Sequence, residues 1–195
     1  MKDKIILASR SGVRKKILDK NGIRCKVIPA DIDEENVSNS LIQEGAEPTF
    51  ISKNLAELKS VKISQKVPNQ IVLGVDSVID LEGELISKPK SREEAFGILK
   101  KLNGKIHSLI SSVCISKNGS MIWNYTDSAA LTMKKLNERD IKNYLDRLDD
   151  EVLFAYGVYQ IEANGRSLFS KIEGDENTIM GLPIKQIKEY LNTLK

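Results

Sequence analysis

The sequence predicts a mixed α/β fold, and three observations predict it. Short apolar runs alternate with helix-like segments through the first half, in the order β-α-β-α-β-α. A strand-rich stretch follows, and the chain closes on a helix. The length of 195 residues suits one such domain over residues 1–195, divided into lobes if at all.

Each element has a local reason. Ile5 to Ala8 is an apolar run that reads as a buried strand. Ser9 or Ser11 can cap the helix after it, with Val13, Ile17 and Leu18 as its buried stripe and Asn21-Gly22 as its end. Cys25 to Pro29 reads as a second strand, running into the acidic segment Ala30–Glu35, expected as a solvated loop. Ile51, Leu55 and Leu58 share one helical face, so a helix starts near Thr49. Ile71 to Val75 reads as a central strand that ends at Asp76-Ser77. Ser91-Arg92-Glu93-Glu94 has the capping-box spacing, and Ala95, Leu99 and Leu102 continue it as a helix. Segments 106–116 and 121–133 read as strands joined at Asn118-Gly119. A helix over 138–148, strands within 156–172 and a helix from Pro183 complete the chain.

Composition narrows the function. Thirty basic residues against 27 acidic ones leave a net charge of +3, with the signs interspersed and no basic–aromatic pattern, so a nucleic-acid partner is not expected. Cys25 and Cys114 are far apart and form no CxxC pair, which predicts neither a disulfide nor a zinc site. The leading MKDKIILASRS is too short in apolar residues for a signal peptide, and no run reaches membrane-spanning length. The expected location is the cytoplasm, with no membrane partner. There is no GxGxxG after a strand, no GxxxxGK[ST] and no GxSxG, which argues against a pure Rossmann fold, a P-loop and a nucleophile elbow. His107 is the one histidine and reads as a structural strand residue.

The chemistry-bearing residues sit at the ends of these elements. A strand that turns through Ser9-Arg10-Ser11-Gly12 into a helix aims backbone N–H groups at one point, and Ser9, Ser11 and Arg14 can complete an anion cradle. The same stretch also reads as a helix cap with a solvated basic face. Asp76 follows the apolar run VLGV, a position for a carboxylate that orients water or holds Mg²⁺. Lys59 and Lys88 are candidate phosphate cations or plain surface lysines. Glu34 is a candidate second metal-facing carboxylate or part of a solvated acidic loop. Gly157 to Glu162 alternates like a strand, which puts Gln160 and Glu162 on one face. Glu162 can there accept two hydrogen bonds from a base edge such as that of guanine, or stand as an ordinary exposed glutamate.

Taken in order, ILASRSGVRKKIL, PADIDEE, LAELK, VLGVDS, SKP, LKKLNGKIHSLISSV, YQIE and IEGDENTIMGLP resemble the Maf family of nucleoside triphosphate pyrophosphatases over nearly the whole chain. The resemblance implies an elongated, twisted sheet flanked by helices, with a cleft between two lobes. It implies a homodimer, a divalent cation (Mg²⁺ or Mn²⁺), and hydrolysis of a nucleoside triphosphate to the monophosphate and pyrophosphate. It places Asp76 as proton acceptor, Glu34 as the second acid and both as metal ligands. It places Ser9, Ser11, Arg14, Lys59 and Lys88 on the phosphates, and Val13, Ser77 and Glu162 where base preference is set. Val13 departs from the arginine of the pyrimidine-preferring branch and from the aromatic residue of the 7-methylguanosine branch. Two rival readings accompany it: an inosine-triphosphate-type pyrophosphatase, and a division regulator that binds nucleotide with little turnover.

Overall fold

The computed structural model describes residues 5–194; Met1 to Lys4, with which the leading segment begins, and Lys195 lie outside the described residues. The first half runs β1 (Ile5–Leu7), α1 (Gly12–Lys20), β2 (Cys25–Val27), α2 (Glu34–Gln43), α3 (Pro48–Lys66), β3 (Val72–Leu81), β4 (Glu84–Ile86) and α4 (Arg92–Leu102). The second half runs β5 (Ile106–Lys117), β6 (Ser120–Met133), α5 (Glu138–Leu145), α6 (Asp150–Tyr156), β7 (Phe169–Glu173), α7 (Glu176–Ile179) and α8 (Ile184–Thr193). The seven strands form one sheet in the order β2-β1-β3-β5-β6-β7, with β4 on the free edge of β3. β1 runs parallel to both β2 and β3, and the pairs from β3 onward are antiparallel.

Capping chemistry explains where helices begin. Ser11, not Ser9, is the N-cap of α1, its hydroxyl accepting from Arg14 N–H. Ser91 caps α4 through Glu94 N–H, and the Glu94 carboxylate returns to Lys90 N–H. Pro48 opens α3, where its missing N–H costs nothing. The hairpin β5–β6 turns at Asn118 and Gly119, both with positive φ (52° and 82°).

β3 organises the rest. It pairs with β5 from Val72 to Asp80, but its other edge is shared: β1 covers Val72 and Leu73, and β4 covers Ile79 to Leu81. Between those two partners the edge opens, with Asp76 in the gap. The apolar clusters divide at the same place. Leu73 and Val75 enter a core with Ile5, Leu7, Leu18, Val113 and Ile187, while Leu81 enters another with Leu99, Leu131, Ile141 and Leu153. The polar run beginning at Asp76 lies between two lobes, each with its own core.

Several expectations are corrected. The strand predicted to stop at Asp76 continues to Leu81, because β5 pairs with it throughout, so Asp76 is a mid-strand residue. The acidic segment is a loop only as far as Asp33, which caps the helix α2 that Glu34 begins. Ile51 and Leu55 of the expected apolar stripe are buried on α3, but Leu58 is exposed and Lys59 is buried instead. Residues 157–162 form no strand: Gly157 has φ 96° and breaks the extended path. Only Phe169–Glu173 is extended in the region expected to hold several strands, and the helix expected over 138–148 ends at Leu145.

Candidate active site

α3 carries a stripe of small residues at every fourth position, Ser52, Ala56, Ser60 and Ser64, all fully buried. Opposite them lies Gly74 of β3, where an added Cβ would stand 2.1 Å from the Ala56 carbonyl oxygen and 2.7 Å from Ser60 N. Small residues on both partners therefore bring α3 unusually close to the sheet. Lys59 is next to Ser60 on that helix, and Asp76 is two residues beyond Gly74 on the same face of β3. The close approach joins them: Lys59 Nζ is 2.8 Å from Asp76 Oδ1 and 2.9 Å from Glu34 Oε1. Glu34 arrives on the first turn of α2.

Asp76 is 5% exposed. Its Oδ1 receives the lysine, but its buried Oδ2 has no hydrogen-bond partner among the described residues. Burial pushes the carboxyl above the usual carboxylate range; Lys59 pulls it back through its charge and hydrogen bond, and Glu34 pushes it further up.

The other wall is built by Arg14, which fills the open edge of β3. Ala8 N–H donates to the Leu73 carbonyl at 2.8 Å, and the next outward carbonyl, that of Val75, receives Arg14 Nη1 at 3.2 Å instead of a strand neighbour. The guanidinium also donates to Ser9 Oγ, Ser77 Oγ and the Gly181 carbonyl, at 3.1, 3.0 and 3.0 Å. Four of its five N–H donors are thus committed to protein acceptors. Burial lowers its pKa, opposed by Asp76 and Glu34, and it remains a cation. Ser77 in turn contacts Ser111 Oγ at 2.9 Å, and Ser111 donates to the Thr178 carbonyl at 2.9 Å. This network fixes the loop after α7 against β3 and β5.

These groups line one cleft of about 870 Å³, in the size range of small-molecule sites. All ten residues singled out from the sequence border it: Ser9, Ser11, Val13, Arg14, Glu34, Lys59, Asp76, Ser77, Lys88 and Glu162. Ser9 is buried, whereas Lys88 and Glu162 are exposed at the rim. Glu162 reaches the rim from a turn whose neighbours Val158, Tyr159 and Ile161 are buried. Tyr159 Oη lies 2.8 Å from Nε2 of His107, which is 2% exposed in β5, in agreement with a structural role.

Sequence reasoning did not single out Ser52, Ser60, Gly74, Ser111, Thr178 or Gly181, which position the named residues. The small-residue stripe on α3 was a readable signal for part of this set. The Ser77–Ser111–Thr178 contacts join distant segments and leave no local pattern.

Both the fold and the sequence have known counterparts. In shape, the chain resembles a HAM1 protein from Coxiella burnetii, with a TM-score of 0.51 at 13% identity over 97% of this chain and 98% of the other, a likeness of fold alone. In sequence, it is 64% identical over the full length of both chains to a nucleoside triphosphate pyrophosphatase from Pelagibacter ubique. It is 39% identical to a 7-methyl-GTP pyrophosphatase from Brucella abortus, covering 93% of this chain and 91% of the relative. The family model described as Maf-like protein matches residues 4–194, which takes in both lobes and every residue around the cleft; the chain belongs to the Maf family.

Proposed function

We propose that the protein hydrolyses nucleoside triphosphates to the monophosphate and pyrophosphate, with water attacking the α-phosphorus, and that a divalent cation, Mg²⁺ or Mn²⁺, takes part. One observation carries this reading: in a chain of this family, Lys59 joins the carboxylates of Asp76 and Glu34 in a cleft large enough for a nucleotide.

The donor set suits the cation. Among the described residues Asp76 Oδ2 is buried without a partner, and Glu34 supplies a half-exposed carboxylate beside it, both hard oxygen donors. No group of three or more His, Cys, Asp or Glu residues able to hold a metal forms among the described residues, which leaves further positions to substrate oxygens and water, as is usual for Mg²⁺. When bound there, the cation would lower the pKa of water and offset charge on the phosphates.

The protein groups divide the remaining work. Asp76 accepts a proton from the attacking water. The water oxygen bonds to the α-phosphorus while the bond to the bridging oxygen breaks, and its electron pair leaves with pyrophosphate. Lys59 holds Asp76 in place and favours its ionised form, and Glu34 helps orient the water. Ser9, Ser11, the N-terminus of α1, Lys88 and the remaining N–H of Arg14 receive phosphate oxygens. Glu162, with Val13 and Ser77 on the lining of the same cleft, receives the base edge, and a guanine-like N1–H and amino pair matches its two oxygens. A homodimeric assembly belongs to the same reading and is checked by light scattering.

The test is hydrolysis in heavy-oxygen water with Mg²⁺ or Mn²⁺ over a nucleotide panel. Label in the monophosphate is the expected result. Label in pyrophosphate, or release of orthophosphate, rejects attack at the α-phosphorus. Tight binding without turnover rejects the enzyme reading.

A further inference from the structure

The charges nearest the reacting position cancel. Lys59 and Arg14 are balanced by Asp76 and Glu34, and Lys59 contacts both carboxylates directly. Arg14 has one N–H donor left over after its four protein contacts. A nucleoside triphosphate carries several negative charges; a divalent cation would offset part of them, and the rest calls on protein cations outside this group. At the rim, Lys90 is engaged by Glu35. Lys88 and Arg10 remain.

Arg10 borders the cleft between the end of β1 and the N-cap Ser11. Its side chain is 78% exposed, and the carboxylate it meets is that of Asp31, 97% exposed and at 3.8 Å. Such a long, solvated pair holds a guanidinium weakly. A guanidinium also presents a planar fork of donors that matches phosphate oxygens. Arg10 directly precedes Ser11, the N-cap of the nine-residue helix α1, whose dipole favours the same anion.

We propose that Arg10 is a phosphate-binding residue of this cleft, exchanging Asp31 for the distal phosphates of the substrate. The proposal rests on the pyrophosphatase reading for the identity of the anion. Asp31 then acts as a competitor that occupies Arg10 when the cleft holds no phosphate.

The experiment compares wild type, Arg10→Gln, Asp31→Asn and the double variant, with Mg²⁺, on whichever of GTP, ITP and UTP the wild type hydrolyses fastest. Inorganic pyrophosphate serves as the competing ligand. Arg10→Gln is expected to raise KM for the nucleotide and Ki for pyrophosphate about tenfold while kcat changes by less than about twofold. Asp31→Asn is expected to lower KM and Ki, and to lose that effect when Arg10 is already glutamine. Lys16→Gln, exposed on α1 outside the cleft lining, controls for loss of a positive charge and is expected to leave both constants unchanged. Wild-type KM and Ki in Arg10→Gln, or an Asp31→Asn effect that persists without Arg10, overturns the assignment. A wild-type protein that hydrolyses none of the three overturns the pyrophosphatase reading for those substrates instead. Calorimetric binding of pyrophosphate to wild type and Arg10→Gln then decides the role of Arg10.

Discussion

The Lys59 ammonium sits 2.8 Å from Asp76 Oδ1, and both side chains are less than one-tenth exposed. An ion pair buried this deeply is poor evidence for stability, because desolvation offsets much of the attraction. Its consequence is electrostatic: the lysine opposes the rise in the Asp76 pKa that burial causes.

At a fixed concentration of divalent cation, the acid limb of kcat/KM in Lys59→Met is therefore expected at higher pH than in the wild type, with activity reduced by about two to four orders of magnitude. Identical pH–rate profiles in the two proteins would contradict the assignment of Asp76 as base. Stability follows the same sign: Asp76 binds its proton more tightly when folded, so its contribution is complete at low pH and is lost as pH rises through the folded pKa.

His107 works in the opposite direction. Burial lowers its pKa from 6.5 to about 4, so the folded protein resists its protonation. Its contribution is present above pH 6.5 and is lost as pH falls toward about 4, amounting to about 3 kcal/mol. His107→Gln, which can still hydrogen-bond Tyr159 but does not titrate, is expected to flatten this part of the curve of Tm against pH. Tyr159→Phe leaves the buried imidazole without that partner and should cost about 1–3 kcal/mol in urea unfolding.

Gly74→Ala tests the close approach of α3. The new methyl would stand 2.1 Å from the Ala56 carbonyl oxygen and 2.9 Å from Ser60 Cβ. Backbone has to retreat, and a loss of about 3 kcal/mol or more is expected. Because Lys59 rides on the same helix, turnover should fall even at temperatures where circular dichroism shows the variant folded.

Arg14→Lys keeps the charge and discards the fork. A lysine cannot reproduce the four directed bonds to Ser9, Val75, Ser77 and Gly181. The expected result is a stability loss of about 2 kcal/mol from polar groups left unpaired, together with a higher KM. Unchanged denaturant midpoint and KM would show that the open edge of β3 does not need this plug.

Elements with local causes could be read directly. The cap at Ser91, the Asn118-Gly119 hairpin and the opening Ser-x-Ser turn each follow from neighbouring residues, and the structure contains all three. What sequence reasoning missed has a distant cause. Asp76 reads as a strand end because the partner that lets a carboxylate stay inside a strand is Lys59, on another element. Lys59 reads as surface for the complementary reason. Helix α2 buries none of its residues fully, so it shows no strong apolar period. The 157–162 segment alternates in type, yet its alternation serves a turn packed over His107. The candidate site residues could be named because the motifs, taken together, resemble one family; the residues alone left each with both a chemical and an ordinary reading, and the structure brings them to one cleft.

The proposed base occupies the middle of a strand paired to β5 over nine consecutive positions, whereas Lys88 and Glu162 belong to irregular segments at the rim. Exchange of backbone amide hydrogens should then divide the cleft: slow around Asp76, where release requires the sheet itself to come apart, and fast around the two rim residues. A fold arranged this way can change which nucleotide it admits by redrawing two short surface segments, while the machinery of bond cleavage stays anchored in its most slowly opening part.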